Sequence, residues 1–284
     1  KARAGSRGRG KQARRPGVPL RTRIGRRLPS IRRLLAGVGA VVVAAAFVTL
    51  LNGPWLRVTD VAWAGEQFTS ERDLGRVLDQ QRGRSVLAID TRELGRRLER
   101  LPAVADATVS ASLPGRIDVS IVEREAAFVW TTSTSQLLGD ADGALFAAMP
   151  ADVDLDSQTI ELPRVTDERT TARLMTPGDE IPDALLAIAL RLADVDPASL
   201  GSKATQLSVM LDDEFGFRVT AAEPGWEMAL GVFGVDPNET EAVAIARLER
   251  QVTAVRTLFA SHPEAEISWV DVRNPGKVYF RAKG

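Results

Sequence analysis

The chain has 284 residues, no cysteine, and 37 basic residues against 37 acidic ones. Without cysteine there are no disulfides, thiolate metal sites or thiol nucleophiles. The zero net charge conceals a segregation: positions 1–33 hold thirteen Lys and Arg and no acid, leaving 24 basic against 37 acidic residues in 34–284. That acidic remainder repels phosphate backbones, so no nucleic-acid partner is expected for it.

Positions 1–33, rich in Gly, Pro and Arg, are expected to form a basic disordered tail drawn to anionic lipid. Positions 34–51 read LLAGVGAVVVAAAFVTLL, with Thr49 the one clearly polar side chain. Eighteen helical residues extend roughly 27 Å, close to the hydrocarbon thickness of a bilayer. The range 34–54 is therefore expected to be a single transmembrane helix in contact with membrane lipid. Its basic flank would lie in the cytoplasm and everything beyond Pro54 outside, with Trp55 at the interface. A cleaved signal peptide is the rival, but its apolar core is about 7 to 15 residues behind a short basic stretch. Ala36, Ala40 and Ala44 share one helical face, which permits close helix approach, though an Ala-rich span produces this spacing unaided.

From 55 to 130 the pattern is strand, helix, helix, strand, strand. Val58, Val61 and Trp63 suit a strand; Ser70-x-x-Asp73 resembles a capping box ahead of Leu74, Val77 and Leu78. Ser85 to Ile89 is a short apolar run. Asp90-x-x-Glu93 opens a second helix with Leu94, Leu98 and Leu101 inward and Pro102 beyond its end. Ala105, Ala107, Val109, Ala111 and Leu113 alternate with polar residues; Pro114-Gly115 turns the chain; Ile117, Val119 and Ile121 alternate again. Two helices over one sheet face are expected.

From 131 to 284 a mixed α/β domain with an antiparallel-rich sheet is expected. Two short strands flank Asp140-Ala141-Asp142-Gly143, which reads as a hairpin turn rather than a calcium loop because the remaining ligands are missing. Residues 150–182, rich in Asp, Thr and Pro, read as irregular. Pro182-Asp183 opens a helix carrying Leu185, Leu186, Ile188, Ala189 and Leu192. Three alternating segments follow: Leu207, Val209, Leu211; Phe215, Phe217, Val219; and Trp226, Met228, Leu230. Asn238-x-x-Glu241 caps a longer helix whose stripe of Ile245, Leu248, Val252, Val255 and Phe259 fits packing on a sheet better than a two-heptad coiled coil. Residues 267–273 and 277–281 form a last pair of strands around Asn274-Pro275-Gly276.

Several of these stretches together resemble a known family. They are Gly83-x-Ser85-Val86-Leu87-Ala88-Ile89-Asp90, Leu101-Pro102-x-Val104-x-x-Ala107-x-Val109, Pro114-Gly115-Arg116-Ile117, Val122-Glu123-Arg124 and Asp271-Val272-Arg273-Asn274-Pro275. The ordered set resembles the POTRA domain and C-terminal β-domain of the FtsQ/DivIB bacterial cell-division proteins. Two positions depart from the family pattern: Ala103, where an aromatic is frequent, and Ala126, where proline is frequent. The resemblance implies a layout of tail 1–33, membrane helix 34–54, POTRA domain 55–130 and β-domain 131–284. It also implies an α+β fold, a place at the division septum, and a non-enzymatic scaffold role that helps recruit septal wall synthesis. Expected partners are small coiled-coil proteins of the FtsB and FtsL type and, through them, the septal wall-synthesis complex. In that family the final strand region receives partners partly by strand pairing. Here that strip is Lys277, Val278, Tyr279, Phe280 and Arg281, with Tyr279 and Arg281 on the face opposite Val278 and Phe280. A terminal strand that merely completes the sheet is the alternative.

No catalytic site, metal site, cofactor or small-molecule substrate is expected. The single histidine, His262, stands beside Pro263 at a helix end, where solvation explains it. No Gly-x-x-x-x-Gly-Lys-Ser/Thr phosphate loop occurs. Two other functions remain open: a membrane-anchored cell-wall hydrolase, and a POTRA-containing transport or outer-membrane assembly component. The latter needs a long series of membrane strands.

Overall fold

A computed structural model describes residues 31–51, 53–150, 162–233 and 239–284. The basic tail up to position 30 and the expected cap Asn238 lie outside the described residues. The chain divides into two units, Lys1–Asn52 and Gly53–Gly284.

In the first unit α1 (Ile31–Leu51) has 21 residues. It begins three residues before the expected 34 and stops at Leu51 rather than 54, because Pro54 opens a separate 3-10 turn, Pro54–Leu56. Among the described residues no helix is long and apolar enough to cross a membrane. The side chains described in α1 cover 35–49, and all are exposed.

The second unit holds two sheets. The smaller contains β1 (Asp60–Ala64), β2 (Val104–Ser112) and β3 (Arg116–Glu123) in the order β1-β3-β2, with β1 parallel and β2 antiparallel to β3. Between β1 and β2 run α2 (Glu71–Leu78) and α3 (Thr91–Leu98). Both helices start as their sequences dictate. Ser70 Oγ accepts from Asp73 N–H and donates to the Asp73 carboxylate; Asp90 Oδ1 accepts from Glu93 N–H. The run 85–89 forms not a strand but a 3-10 turn, Val86–Ala88, which buries Val86. Leu74, Leu78, Leu94 and Leu98 pack on Ile117, Val119 and Ile121. On β2, Ala105 is exposed because a bulge beside it breaks the expected alternation, and Ala111, in regular register with Ala107 and Val109, is exposed too, near the end of the strand. A Cβ on Gly95 would come within 2.8 Å of the Ala107 carbonyl oxygen, so glycine sets how closely α3 approaches β2.

The larger sheet has nine strands in the order β12-β11-β10-β9-β8-β7-β4-β5-β6. They are β4 (Phe128–Thr131), β5 (Ser135–Gly139), β6 (Leu145–Pro150), β7 (Arg164–Asp167), β8 (Ser208–Asp212), β9 (Gly216–Ala221), β10 (Trp226–Gly231), β11 (Ile267–Asp271) and β12 (Tyr279–Ala282). Five pairings are antiparallel and three parallel. This sheet begins at Phe128, within the range expected for the first domain. β7 lies in the stretch 150–182 that reads as irregular; residues 151–161 of that stretch are outside the described ones.

Helices α4 (Asp183–Ala193) and α5 (Glu241–Ser261) cover one face of the large sheet. Pro182 is the N-cap of α4 rather than its first helical residue, and Thr240 precedes α5 without a side-chain cap bond. The inward face of α5 centres on Ala244, Leu248, Gln251, Val255 and Leu258, one residue round from the expected stripe, while Ile245, Val252 and Phe259 are partly buried beside it.

Strands β4 and β5 are apolar on both faces. Phe128, Trp130 and Leu137 belong to the helix-covered core, whereas Val129 and Leu138 face the other way. There they pack with Phe146, Ala147 and Ala103, the last from the connection into β2. Phe68, from the loop after β1, stacks edge-on against Phe146 at 5.5 Å. Arg124 donates to Asp140 and to the Pro102 carbonyl oxygen. The two sheets are joined by this apolar cluster and its ion pair.

Glu123, the last residue of β3, holds the loop carrying Phe68. Its Oε2 accepts from the N–H groups of Gln67 and Phe68, both at 2.8 Å, and its Oε1 from Thr69 N–H at 2.7 Å. Burial, the largest single influence, pushes the carboxyl upward; the bonds from Thr69, Phe68 and Gln67 outweigh it and hold it below the usual range. A depressed folded-state value means stability fully present above the ordinary glutamate range and lost as pH falls through the lower folded value. Glu123→Gln is therefore expected to cost roughly 1 kcal/mol at neutral pH. It should also flatten the acid side of the stability curve, as read by urea denaturation at a series of pH values.

Candidate functional site

The terminal hairpin of the large sheet carries every residue of the expected docking strip. Lys277 lies in the turn, its N–H bonded to the Asn274 carbonyl at 3.1 Å, and precedes the strand. Val278 packs against the main core, and β12 proper runs Tyr279–Ala282. The paired segment is thus shifted from the expected 277–281. β12 is antiparallel to β11, with Tyr279 opposite Asp271, Phe280 opposite Val270 and Arg281 opposite Trp269. A bulge at Ser268 lets its hydroxyl donate to the Arg281 and Ala282 carbonyls. β12 is the outermost strand on this side, and its four residues are all exposed, Tyr279 at 49% and Phe280 at 44%.

The two faces of the strip differ as the alternation predicts. Val278 and Phe280 lie on the helix side, where Phe280 stacks on the His262 ring at 4.8 Å. His262 is the C-cap of α5, and its Nδ1 is 3.0 Å from Ser261 Oγ. Tyr279 and Arg281 fall on the opposite face. There Trp269 stacks edge-on with Phe215 at 4.9 Å, and the Arg273 guanidinium stands 5.0 Å from the centre of the Phe215 ring. Arg273 in turn grips Asp271, Nε to Oδ1 at 3.0 Å and Nη2 to Oδ2 at 2.7 Å. Those bonds from Arg273 hold the Asp271 carboxyl below its usual range, against an opposing push from burial, and raise Arg273. Arg218 sits nearby between Asp212, Glu227 and Glu168.

The sequence reading names Phe215 as a strand residue and Arg273 within a motif, but picks out neither of them, nor Trp269, as part of the site. Phe215 looks inward because it alternates with Phe217 and Val219, both buried. Gly216 intervenes with φ +69, and Gly231 pairs with both Gly216 and Phe217 in a bulge. The bulge turns Phe215 to the outer face. The paired glycines opposite one another, Gly216 and Gly231, are the sequence signal for it.

A groove of about 270 Å³ leads from the start of this hairpin toward α5, lined by Arg247, Arg250, Gln251, Arg273 and Lys277 among others. Gln251 is buried and donates to the Leu230 and Val272 carbonyls at 2.8 and 3.0 Å, tying α5 to β10 and to the residue after β11. The edge is therefore basic and aromatic, with free main-chain groups along β12. Among the described residues no cluster of His, Cys, Asp or Glu has the grouping to hold a metal ion.

A short, exposed sheet edge beside an aromatic and cationic face thus closes the large sheet, in a unit that also holds a β-α-α-β-β domain. Residues 56–124 match the family described as POTRA domain, FtsQ-type. The chain is 27% identical over 263 residues to the cell division protein FtsQ of Chloroflexus aurantiacus, covering 89% of this chain and 84% of that protein. It is 34% identical over 127 residues to FtsQ of Streptomyces bingchenggensis, 44% of this chain and 48% of that one. Against FtsQ of Anaeromyxobacter it is 27% identical over 258 residues, covering 90% and 81%. Residues 56–124 thus form an FtsQ-type POTRA domain, and over most of its length the chain is similar to FtsQ cell-division proteins.

The bulge makes a clear demand on position 216. A Cβ there would meet the Gly231 carbonyl carbon at 2.3 Å, in a backbone conformation side chains rarely adopt. Gly216→Ala is expected to destabilise the protein by more than about 1 kcal/mol, seen as a lower denaturation midpoint. It should also shift tryptophan emission as Phe215 leaves Trp269.

Proposed function

We propose that this protein is a non-enzymatic scaffold of the division machinery, anchored by α1 and binding partners through β12. The observation that carries the reading is the exposed terminal edge, with its aromatic and basic side chains placed alternately on two faces. An added strand would gain affinity from main-chain hydrogen bonds along β12 and selectivity from contacts with Tyr279 and Arg281 on one side and Phe280 on the other. Lys277, Arg281 and Lys283 keep two copies of this edge from pairing with each other and favour an acidic incoming segment. The partners are small coiled-coil proteins of the FtsB and FtsL type, which would bring in septal wall synthesis.

The sequence supports the membrane part of the reading. Although no helix among the described residues is long and apolar enough to cross a membrane, the full uncharged run 34–51 of the sequence has the length to span, and the basic segment ahead of it favours a cytoplasmic N-terminus and an extracytoplasmic position for 53–284 at the septum. The hydrolase alternative draws no support from a particular site. The transport alternative fits poorly with a nine-stranded open sheet covered by helices.

The test is co-purification of wild type and Tyr279→Glu with their partners from native membranes, alongside hydrogen exchange. Tyr279→Glu, folded as judged by circular dichroism, is expected to bind about tenfold more weakly or worse. Bound partner should slow exchange of the outward amides of β12 in the wild type. Undiminished capture by the folded variant, with unchanged exchange at 279–282, would remove this edge from the account.

A further inference from the structure

The C-terminal end of α5 reaches over the outermost strand of the large sheet. The contact is His262, the C-cap of that helix and the one histidine of the chain. Its ring stacks on Phe280 of β12, with 4.8 Å between the ring centres and 54° between their planes. Both side chains are exposed. Neighbouring strands of a sheet lie about 4.8 Å apart. A strand added outside β12 would therefore set its helix-side residues next to Phe280 and within reach of the imidazole.

The hydrogen bonds around the ring determine which nitrogen is available. Ser261 Oγ lies 3.0 Å from His262 Nδ1, and it also lies 3.0 Å from the Leu258 carbonyl oxygen and 3.1 Å from that of Thr257. A hydroxyl has one hydrogen, and carbonyl oxygens only accept. That hydrogen is committed to the helix, so the Ser261 oxygen accepts from Nδ1–H. The neutral ring then carries its hydrogen on Nδ1, and Nε2 is the nitrogen that takes up the second proton. Nε2 has no hydrogen-bond partner among the described residues.

The charged groups on the surrounding elements are engaged elsewhere. On the turn after α5, Glu264 is buried and accepts from Lys203 N–H and the Trp226 indole. Glu266 is exposed, and its main-chain carbonyl accepts from Lys283 N–H. On β12 Arg281 falls on the opposite face, and beyond it Lys283 Nζ donates to the Pro224 carbonyl. The preceding charged residue on α5 is Arg256, which is exposed. His262 forms no ion pair among the described residues. Lys277, Arg281 and Lys283 leave the edge with a surplus of positive charge.

We propose that His262 belongs to the docking surface and selects a carboxylate on the incoming strand. This rests on the reading that β12 receives a partner by strand pairing. Protonation converts Nε2 from a bare acceptor into a charged donor beside Phe280. An Asp or Glu on the helix side of the added strand gains a charge-assisted bond there. Imidazole side chains change charge between about pH 5 and 8, whereas carboxylates ionise near 4 and stay charged through that range. A bound carboxylate favours the protonated ring. The added affinity is thus fully present at the acid end of the range and is lost as pH rises through the value the ring has in the complex.

The test uses the full chain, without a polyhistidine tag, together with the coiled-coil partners that co-purify with it from native membranes. Retention is measured at about pH 7.5 and about pH 5.8 for wild type and His262→Gln. Wild type should hold its partner about fivefold more tightly at the lower pH. His262→Gln, with unaltered thermal unfolding, should match wild type at the higher pH and show no dependence. In the isotope-labelled chain the ring C2 proton of His262 gives a single signal, whose pH midpoint should be higher in the complex than in the free chain. Equal retention by wild type at both pH values, tighter retention at the higher one, or a dependence that persists in His262→Gln would overturn the proposal and leave β12 as the docking edge. Retention that Tyr279→Glu leaves undiminished would overturn both.

Discussion

The constraint on which this molecule depends is the two-sided burial of β4 and β5. Phe128, Trp130 and Leu137 enter the core beneath α4 and α5, while Val129 and Leu138, equally buried, enter the cluster shared with the small domain. Burying a Val, Leu or Phe side chain fully is worth roughly 1.5 to 3 kcal/mol. Val129, Leu138 and Phe146 together thus supply several kcal/mol across the junction, enough to oppose the independent motion that is the default for linked domains. The Arg124–Asp140 pair then fixes orientation more than it adds strength: Arg124 is partly exposed, and such pairs contribute little.

That junction gives the molecule a direction. Every strand of the small sheet runs between the apolar loops near Trp55 and the residues that meet the large sheet. The large sheet in turn extends strand by strand from β6 to β12, so the exposed edge β12 is its strand furthest from the junction.

Much of this was legible in the residues. Ser70 with Asp73 and Asp90 with Glu93 mark helix starts because short polar side chains satisfy backbone N–H groups that nothing else reaches. Ile117, Val119 and Ile121 alternate because one face of β3 is buried and the other is not. β7 escaped because its four residues, Arg-Val-Thr-Asp, offer one apolar side chain; its Asp167 is buried by accepting from the Trp130 indole and Arg169, a partnership no local pattern encodes. β4 and β5 escaped assignment to a junction because strands buried on both faces show no alternation. At the candidate site, Tyr279, Phe280 and Arg281 were legible from strand period, whereas Phe215 and Trp269 meet only through a bulge and a register between distant strands.

Differential scanning calorimetry of residues 53–284, with and without Leu138→Ala, tests the junction most directly. The account predicts one cooperative transition for the wild-type fragment, in which both sheets melt together, and a lowered midpoint for both in the variant. Two separated transitions in the wild type, with Leu138→Ala moving only the one that belongs to the large sheet, would contradict it.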